Sequence, residues 1–397
     1  MSHQLINRSP QLLRLRNEGY NICVNGAFLL VNDIPYVNAR REIQIGMLIF
    51  QLNLTADVAM VPPDHTAYFS GDTPCDSQGQ PLVSIINNSE KRELMPELIA
   101  HHYFSAKPRS GAYTVYYEKV TLYVAMLSGH AQVIDPDVTA QTYAPVVAVE
   151  EESAFVYIDT ASSRAGIAAQ TEKFRGLKIA LVGLGGTGAY ILDQIAKMPV
   201  KQIHLYDGDI LHQHNAFRFP GAVPFSTLQR ALKKVDYLHE TYSQLHRGIV
   251  PHSCMITAEN VEQLKSFDYV FLSVDRADVR AMVVNQLQGT PTSIIDVGMG
   301  VHIVNDTQKI WGACRVTALT QKHHEHGVRT LPLTENVDVG AYRSNIQIAD
   351  LNALNATLAI GMWKRLCGFY VDSTEALHST YITHLNELGN SEVANEG

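Results

Sequence analysis

Residues 178–198 read KIALVGLGGTGAYILDQIAKM, and no other run limits the possible folds of this chain as strongly. An apolar stretch at 179–182 gives way to Gly183-Leu184-Gly185-Gly186-Thr187-Gly188, after which apolar residues recur at helical spacing through Met198. A strand that ends in glycines and restarts as a helix makes a phosphate cradle. Glycine permits a tight turn and a close backbone approach, and the helix N-terminus offers unpaired N–H groups with partial positive charge. Asp207 closes the next strand-like run, QIHLYDGD, where a dinucleotide fold sets its ribose-binding acid. On this motif alone NAD or FAD is the default ligand.

The pattern continues beyond the turn. KIALVGLGG, AYILDQIAKM, QIHLYDGD, DYVFLSVD and SIIDVGMG alternate strand with helix, which predicts an α/β, Rossmann-type, mainly parallel sheet with helices on both faces. Leu351, Leu354, Leu358, Met362 and Leu366 predict a long amphipathic helix whose apolar stripe packs into the core. Before residue 150 the texture differs: NGAFLLVND, ADVAMV, HTAYFSG, AYTVYY and PVVAV read as short strands between turn residues, with a helix over 118–127. The chain therefore divides into an N-terminal α+β domain over 1–155 and a Rossmann-type domain over 156–397.

Composition narrows the partners. Hydrophobic residues make up 46% and charged residues 18%, as in globular chains, and no apolar run reaches the ~20 residues of a membrane span. The N-terminus lacks the pattern of a secretory signal, so a cytoplasmic protein without membrane contact is expected. A net charge of −8 gives no reason to expect nucleic acid. The cysteines Cys23, Cys75, Cys254, Cys314 and Cys367 stand far apart with no CxxC pair, which argues against disulfides and a zinc ribbon.

The choice of nucleotide turns on the residues after Asp207: YDGDILHQHNAFRFPGA, then LQRALKKVDYL, then FLSVDRADVR. This set resembles the ThiF-like adenylyltransferases, the family of ubiquitin-activating enzymes and sulfur-carrier activators, over roughly residues 160–370. Asp207 and Asp209 match the family's Asp-x-Asp, and Asn215 and Arg218 its Asn-x-x-Arg. Lys234, or its neighbour Lys233, matches the lysine, and Asp275 the late aspartate.

The resemblance implies ATP and Mg²⁺ as ligands, with Gly183, Gly185, Gly186 and Gly188 around the phosphates and Asp207 on the ribose. It implies Arg218 and Lys234 as the cations, Asn215 as an orienting group and Asp275 as the Mg²⁺ ligand; Asp209 reads either as part of the site or as a turn residue. Arg164 matches an arginine that family members extend into a partner subunit's site, which implies a homodimer. The implied substrate is the C-terminal glycine carboxylate of a ubiquitin-like carrier in a bacterial system. These residue types suit the chemistry, because transfer of AMP depends on neutralising and positioning phosphate charge.

The chain also departs from the family. Many relatives form a thioester on a crossover cysteine, yet residues 319–346 contain none; Cys314, just before them, is either a nucleophile or a small buried residue. His323, His324 and His326 suggest a metal only weakly, with no fourth ligand at hand, and read better as a polar loop. HHYFSAKPRSGAYTVYYEKVTLYVAML and HTAYFSGDTPCDSQGQPL resemble the domain that precedes ThiF-like domains in bacterial proteins encoded near ubiquitin-like carriers. There His65, His101, His102 and Cys75 read as a site or as satisfied core and turn residues, and recruitment of a carrier or target is the expected role. A nicotinamide-dependent oxidoreductase and a non-catalytic nucleotide-binding scaffold remain the competing functions.

Overall fold

Residues 178–182 are apolar after the first position and buried from 179 onward, as a strand covered on both faces must be. The structure, a computed structural model, describes residues 2–55, 57–149, 153–304, 308–333 and 347–391. The chain forms two units, Met1–Glu152 with Tyr157–Arg164, and Ser153–Val156 with Ala165–Gly397.

In the second unit, eight strands form one sheet: β1 (Lys178–Val182), β2 (Gln202–Tyr206), β3 (Ile249–His252), β4 (Tyr269–Leu272), β5 (Ser293–Val304), β6 (Lys309–Leu319), β7 (His378–Ile382) and β8 (Glu387–Ser391). Their spatial order is β3-β2-β1-β4-β5-β6-β7-β8. The pairs from β3 through β5 are parallel, and those from β5 through β8 antiparallel. The expected parallel sheet thus carries an antiparallel extension, and the order reverses between β1 and β4, where α/β folds open a crevice for ligands.

Helices α1 (Gly186–Ile195), α2 (Lys234–Tyr242) and α4 (Ala349–Leu366) cover one face, over Ile179, Leu181, Ile203, Leu205 and Phe271. Helix α3 (Ala277–Leu287) covers the other, over Ala180, Val182, Val270 and Leu272. The inner side of α4 differs from the expected leucine stripe. Leu351 and Met362 are buried as expected, but Asn352, Asn355, Ala356, Ala359 and Trp363 are buried with them, whereas Leu354, Leu358 and Leu366 lie at the flanks. Small and amide side chains occupy the centre because α4 approaches α1 closely: a Cβ on Gly186 would run into the Asn352 carboxamide.

The first unit is a six-stranded antiparallel sheet in the order Ile22–Asn25, Phe28–Val37, Ile43–Gln51, Thr66–Ser70, His102–Ser105 and Ile86–Asn88. Helix Tyr116–Ile134 contributes Tyr116, Val120, Tyr123 and Leu127 to its core. This corrects the reading of AYTVYY as a strand and of the helix as 118–127. The tyrosines fall at helical spacing, and their hydroxyls donate to strand and loop carbonyls, Tyr116 to Gln51 at 2.8 Å and Tyr123 to His65 at 2.5 Å. PVVAV also forms no strand; Val147 makes an isolated bridge with Tyr157. Among the described residues of ADVAMV, Val58–Ala59 form a two-residue strand paired with Leu54–Thr55.

Candidate nucleotide site

The glycine turn is built by exclusion. Gly183 has φ +87°, and a Cβ there would stand 2.6 Å from the Ser273 carbonyl oxygen. A Cβ on Gly188 would collide with the Gly183 carbonyl, so these two glycines are required by close packing. Gly185 differs: its nearest neighbour would be Gln347 Oε1 at 4.0 Å, which leaves open space at the N-terminus of α1. Gln347 Oε1 is itself buried without a hydrogen-bond partner.

Asp207, nearly buried at the end of β2, organises this turn from within. Its Oδ2 accepts from Leu184 N–H at 2.8 Å and its Oδ1 from Asp209 N–H at 2.9 Å. Lys234, the first residue of α2, places Nζ 2.7 Å from Asp209 Oδ2 and 3.4 Å from Asp207 Oδ2. The neighbouring Lys233 donates instead to the Gly208 carbonyl, so it is Lys234 that faces both carboxylates.

Asn215 is buried and accepts from His212 N–H at 2.8 Å, closing a capping box on the short helix Gln213–Ala216. It therefore fixes the backbone that carries Arg218, whose N–H donates to the Asn215 carbonyl at 3.0 Å. Arg218 Nε is buried with no hydrogen-bond partner. Burial lowers the pKa of this guanidinium from its ordinary value, and the nearby charge of Asp275 opposes the change. Asp275 is exposed, just past the end of β4. His214 feels the same cations: its pKa is lowered first by burial, then by Arg218, His212 and Lys234.

The remaining candidates fall elsewhere. Arg164 ends the helix Thr160–Arg164 in the first unit, its Cζ 5.5 Å from the Tyr143 ring centroid. Cys314 on β6 is fully buried, and burial pushes its thiol up to about 11. Residues 334–346 of the crossover stretch lie outside the described residues. His324 starts the helix His324–Thr330, and among the described residues no group of three or more His, Cys, Asp or Glu side chains is placed to hold a metal.

In the first unit, Cys75 is buried with its thiol pKa raised by burial. His101 Nδ1 accepts from Gly71 N–H at 3.2 Å, His102 Nδ1 lies 2.9 Å from Ser89 Oγ, and His65 Nε2 lies 3.1 Å from Ser105 Oγ. Each histidine thus has a local partner.

A group that escaped sequence reading adjoins the site. Asp296 on β5 bonds both Arg280 from α3 and Arg315 from β6. Arg280 also donates to the Val274 carbonyl at 2.6 Å, which braces the segment carrying Asp275. The only sequence signal was an aspartate inside the otherwise apolar SIIDVGMG.

These elements define a doubly wound α/β domain with a glycine turn, an acid after the second strand and cations around the crevice. Residues 160–324 match the ThiF family, and residues 10–160 match a domain of unknown function designated DUF6791. Similar solved structures include PaaA, at 14% identity over 56% of this chain and 75% of that chain, with a TM-score of 0.42. E. coli MccB with ATP matches at 12% identity over 59% of this chain and 69% of that chain, with a TM-score of 0.42. E. coli tRNA N6-threonylcarbamoyladenosine dehydratase, TcdA, with AMP matches at 16% over 52% and 93%, with a TM-score of 0.39. No curated protein sequence matches the chain significantly. Among the described residues no helix is long and apolar enough to cross a membrane.

Proposed function

We propose that this protein is an ATP-dependent adenylyltransferase that activates the C-terminal glycine carboxylate of a ubiquitin-like protein in the bacterial cytoplasm. One observation carries the reading: Arg218 holds a buried, unpartnered Nε beside Asp275. A buried cationic group without a partner implies an anion that completes it. The ThiF family match supports the same reading.

The N-terminus of α1 and the open space at Gly185 would receive phosphate oxygens. In the reaction a carboxylate oxygen bonds to the α-phosphorus, the bond from that phosphorus to the β-bridging oxygen breaks, and pyrophosphate leaves with the electron pair. Arg218 would neutralise charge as it builds on the phosphates, while Lys234, paired with Asp209, would exchange that partner for a phosphate oxygen. Asn215 would act by holding the Arg218 backbone.

Asp275 is a single exposed carboxylate near Arg218, which suits Mg²⁺, an ion usually held by one or two carboxylates plus phosphates. Bound there, the ion would supply further neutralisation of phosphate charge. A homodimer in which Arg164 serves the partner's site belongs to this reading, as does recruitment of the carrier by the first unit.

Calorimetry with ATP and Mg²⁺, against NAD, tests the central claim. Binding of ATP and not NAD is expected; tight NAD binding without ATP binding would overturn it.

A further inference from the structure

Asp296 has both oxygens on cations: Arg280 Nε donates to Oδ1 at 2.8 Å, and Arg315 Nη2 to Oδ2 at 2.5 Å. The Asp296 side chain is 0% exposed, Arg280 7% and Arg315 18%. Among the described residues no second carboxylate pairs with either arginine, so two positive charges face one negative. Excess charge held away from water is costly unless a further anion meets it.

The two arginines are not equivalent. Arg280 is engaged on every side, with Nη2 on the Val274 carbonyl and Nη1 on the Pro332 carbonyl at 3.3 Å. Arg315 bonds Thr317 Oγ1 at 3.0 Å and is the more exposed of the two. Its guanidinium lies across Gly298, where a Cβ would stand 2.8 Å from Nη2. Two residues along the same face, a Cβ on Gly300 would meet nothing nearer than His302 Nε2 at 3.6 Å. Arg315 therefore covers Gly298 and borders bare backbone at Gly300. In the strand order Gly300 lies on β5, across the β1–β4 reversal from Asp207, which follows β2.

We propose that Arg315 is a substrate-binding residue that meets the terminal carboxylate of an extended peptide end laid over the bare backbone at Gly300. This rests on the adenylyltransferase reading: the nucleotide takes the β2 side of the crevice and the acyl substrate the β5 side. The bare backbone at Gly300 leaves room for a chain end, and the guanidinium supplies the donors that a carboxylate requires.

The test uses the full chain and a fluorescent hexapeptide ending in Gly-Gly, as the free acid and as the C-terminal amide, with binding read by anisotropy in the presence of ATP. Wild-type protein should prefer the acid by about tenfold, the worth of one hydrogen bond to a charged group. Arg315→Gln should lose that preference, and Arg315→Lys should retain part of it. Asp296 keeps Arg280 in both variants, so both should fold, with thermal melting as the control. An equal preference in wild type and Arg315→Gln overturns the assignment, as does a wild-type protein that ignores the carboxylate. Loss of ATP binding in the wild-type protein would instead overturn the adenylyltransferase reading.

Discussion

Arg218 and Lys234 carry the same charge in different settings, and this separates the effects of removing them. Arg218 has an Nε with no protein partner, so Arg218→Ala should leave the melting temperature near wild type. Carrier-dependent exchange of pyrophosphate into ATP should fall about a hundredfold, or ~3 kcal/mol, the usual scale for an electrostatic catalytic group. Lys234 is paired with the nearly buried Asp207 as well as with Asp209. Lys234→Ala leaves Asp207 on its two backbone N–H donors but without this charged partner, at about 2 to 3 kcal/mol, so it should also melt roughly 5 to 10 °C lower. Equal melting of the two variants would contradict this distinction.

Cys314 tests a different point. Its thiol is buried, bonded to the Leu351 carbonyl at 3.5 Å and pushed up to about 11, while Cys254 is exposed. Cys314→Ala should leave pyrophosphate exchange intact. A thiol reagent applied to the folded protein should label Cys254 long before Cys314, as mass spectrometry of the digested adduct would show.

At the scale of elements, the edge formed by β2 and β3 should sense acid. Burial pushes His204 and His246 down to about 4, and contact with His252 adds to the effect on His204. His246 is locked as one neutral tautomer: Nδ1 accepts from Gly248 N–H at 3.0 Å, which leaves Nε2–H to donate to the Val200 carbonyl at 3.1 Å. The folded pKa lies below the unfolded value near 6.5, so the unfolded chain takes up protons first. Stability is complete above that value and declines as pH falls toward 4. Melting should drop between pH 7 and pH 5. His246→Gln should melt lower at pH 7 yet lose less over that interval; an unchanged slope in this variant would count against the locked tautomer.

The same scale explains what the sequence disclosed. The strand, turn and helix at 178–195 were legible because glycine has one steric meaning at Gly183 and Gly188, and because a strand buried on both faces is apolar throughout. AYTVYY misled because aromatic residues favour strands locally, whereas tertiary burial of Tyr116 and Tyr123 selected a helix. The Arg280–Asp296–Arg315 group was illegible because it depends on the antiparallel register that sets Gly298 opposite Arg315 and Asp296 opposite Thr317. Asn215 was found as a residue, but its capping bond to His212 was not, since Asn-x-x-Arg alone does not show where the amide points.

At the scale of the whole molecule, Ser153–Val156 belongs to the second unit, although the chain on either side of it belongs to the first. Arg247 holds this strap: its N–H donates to the Ala154 carbonyl at 2.8 Å, and its guanidinium reaches the carbonyls of Ser153 and Phe155. Val156 N–H donates to the Leu245 carbonyl at 2.9 Å, and the buried Phe155 ring stands edge-on to His246, 5.7 Å between centroids. A fragment beginning at Ser153 should therefore be more stable than one beginning at Ala165 by roughly 2 to 3 kcal/mol, the worth of burying a phenylalanine. Denaturant melts of the two fragments would measure the difference, and coincident midpoints would show that the strap adds nothing.

The strap also bears on how such a protein can be inherited and rebuilt. The chain passes from one unit to the other after residues 152, 156 and 164. A recombination event that joins a foreign N-terminal module at any one of these junctions either deprives one core of its own residues or carries residues of the other core with it. Exchange of a whole module would require two coordinated joints a few codons apart, so the pairing of these two domains should drift as a single heritable block and resist piecemeal shuffling.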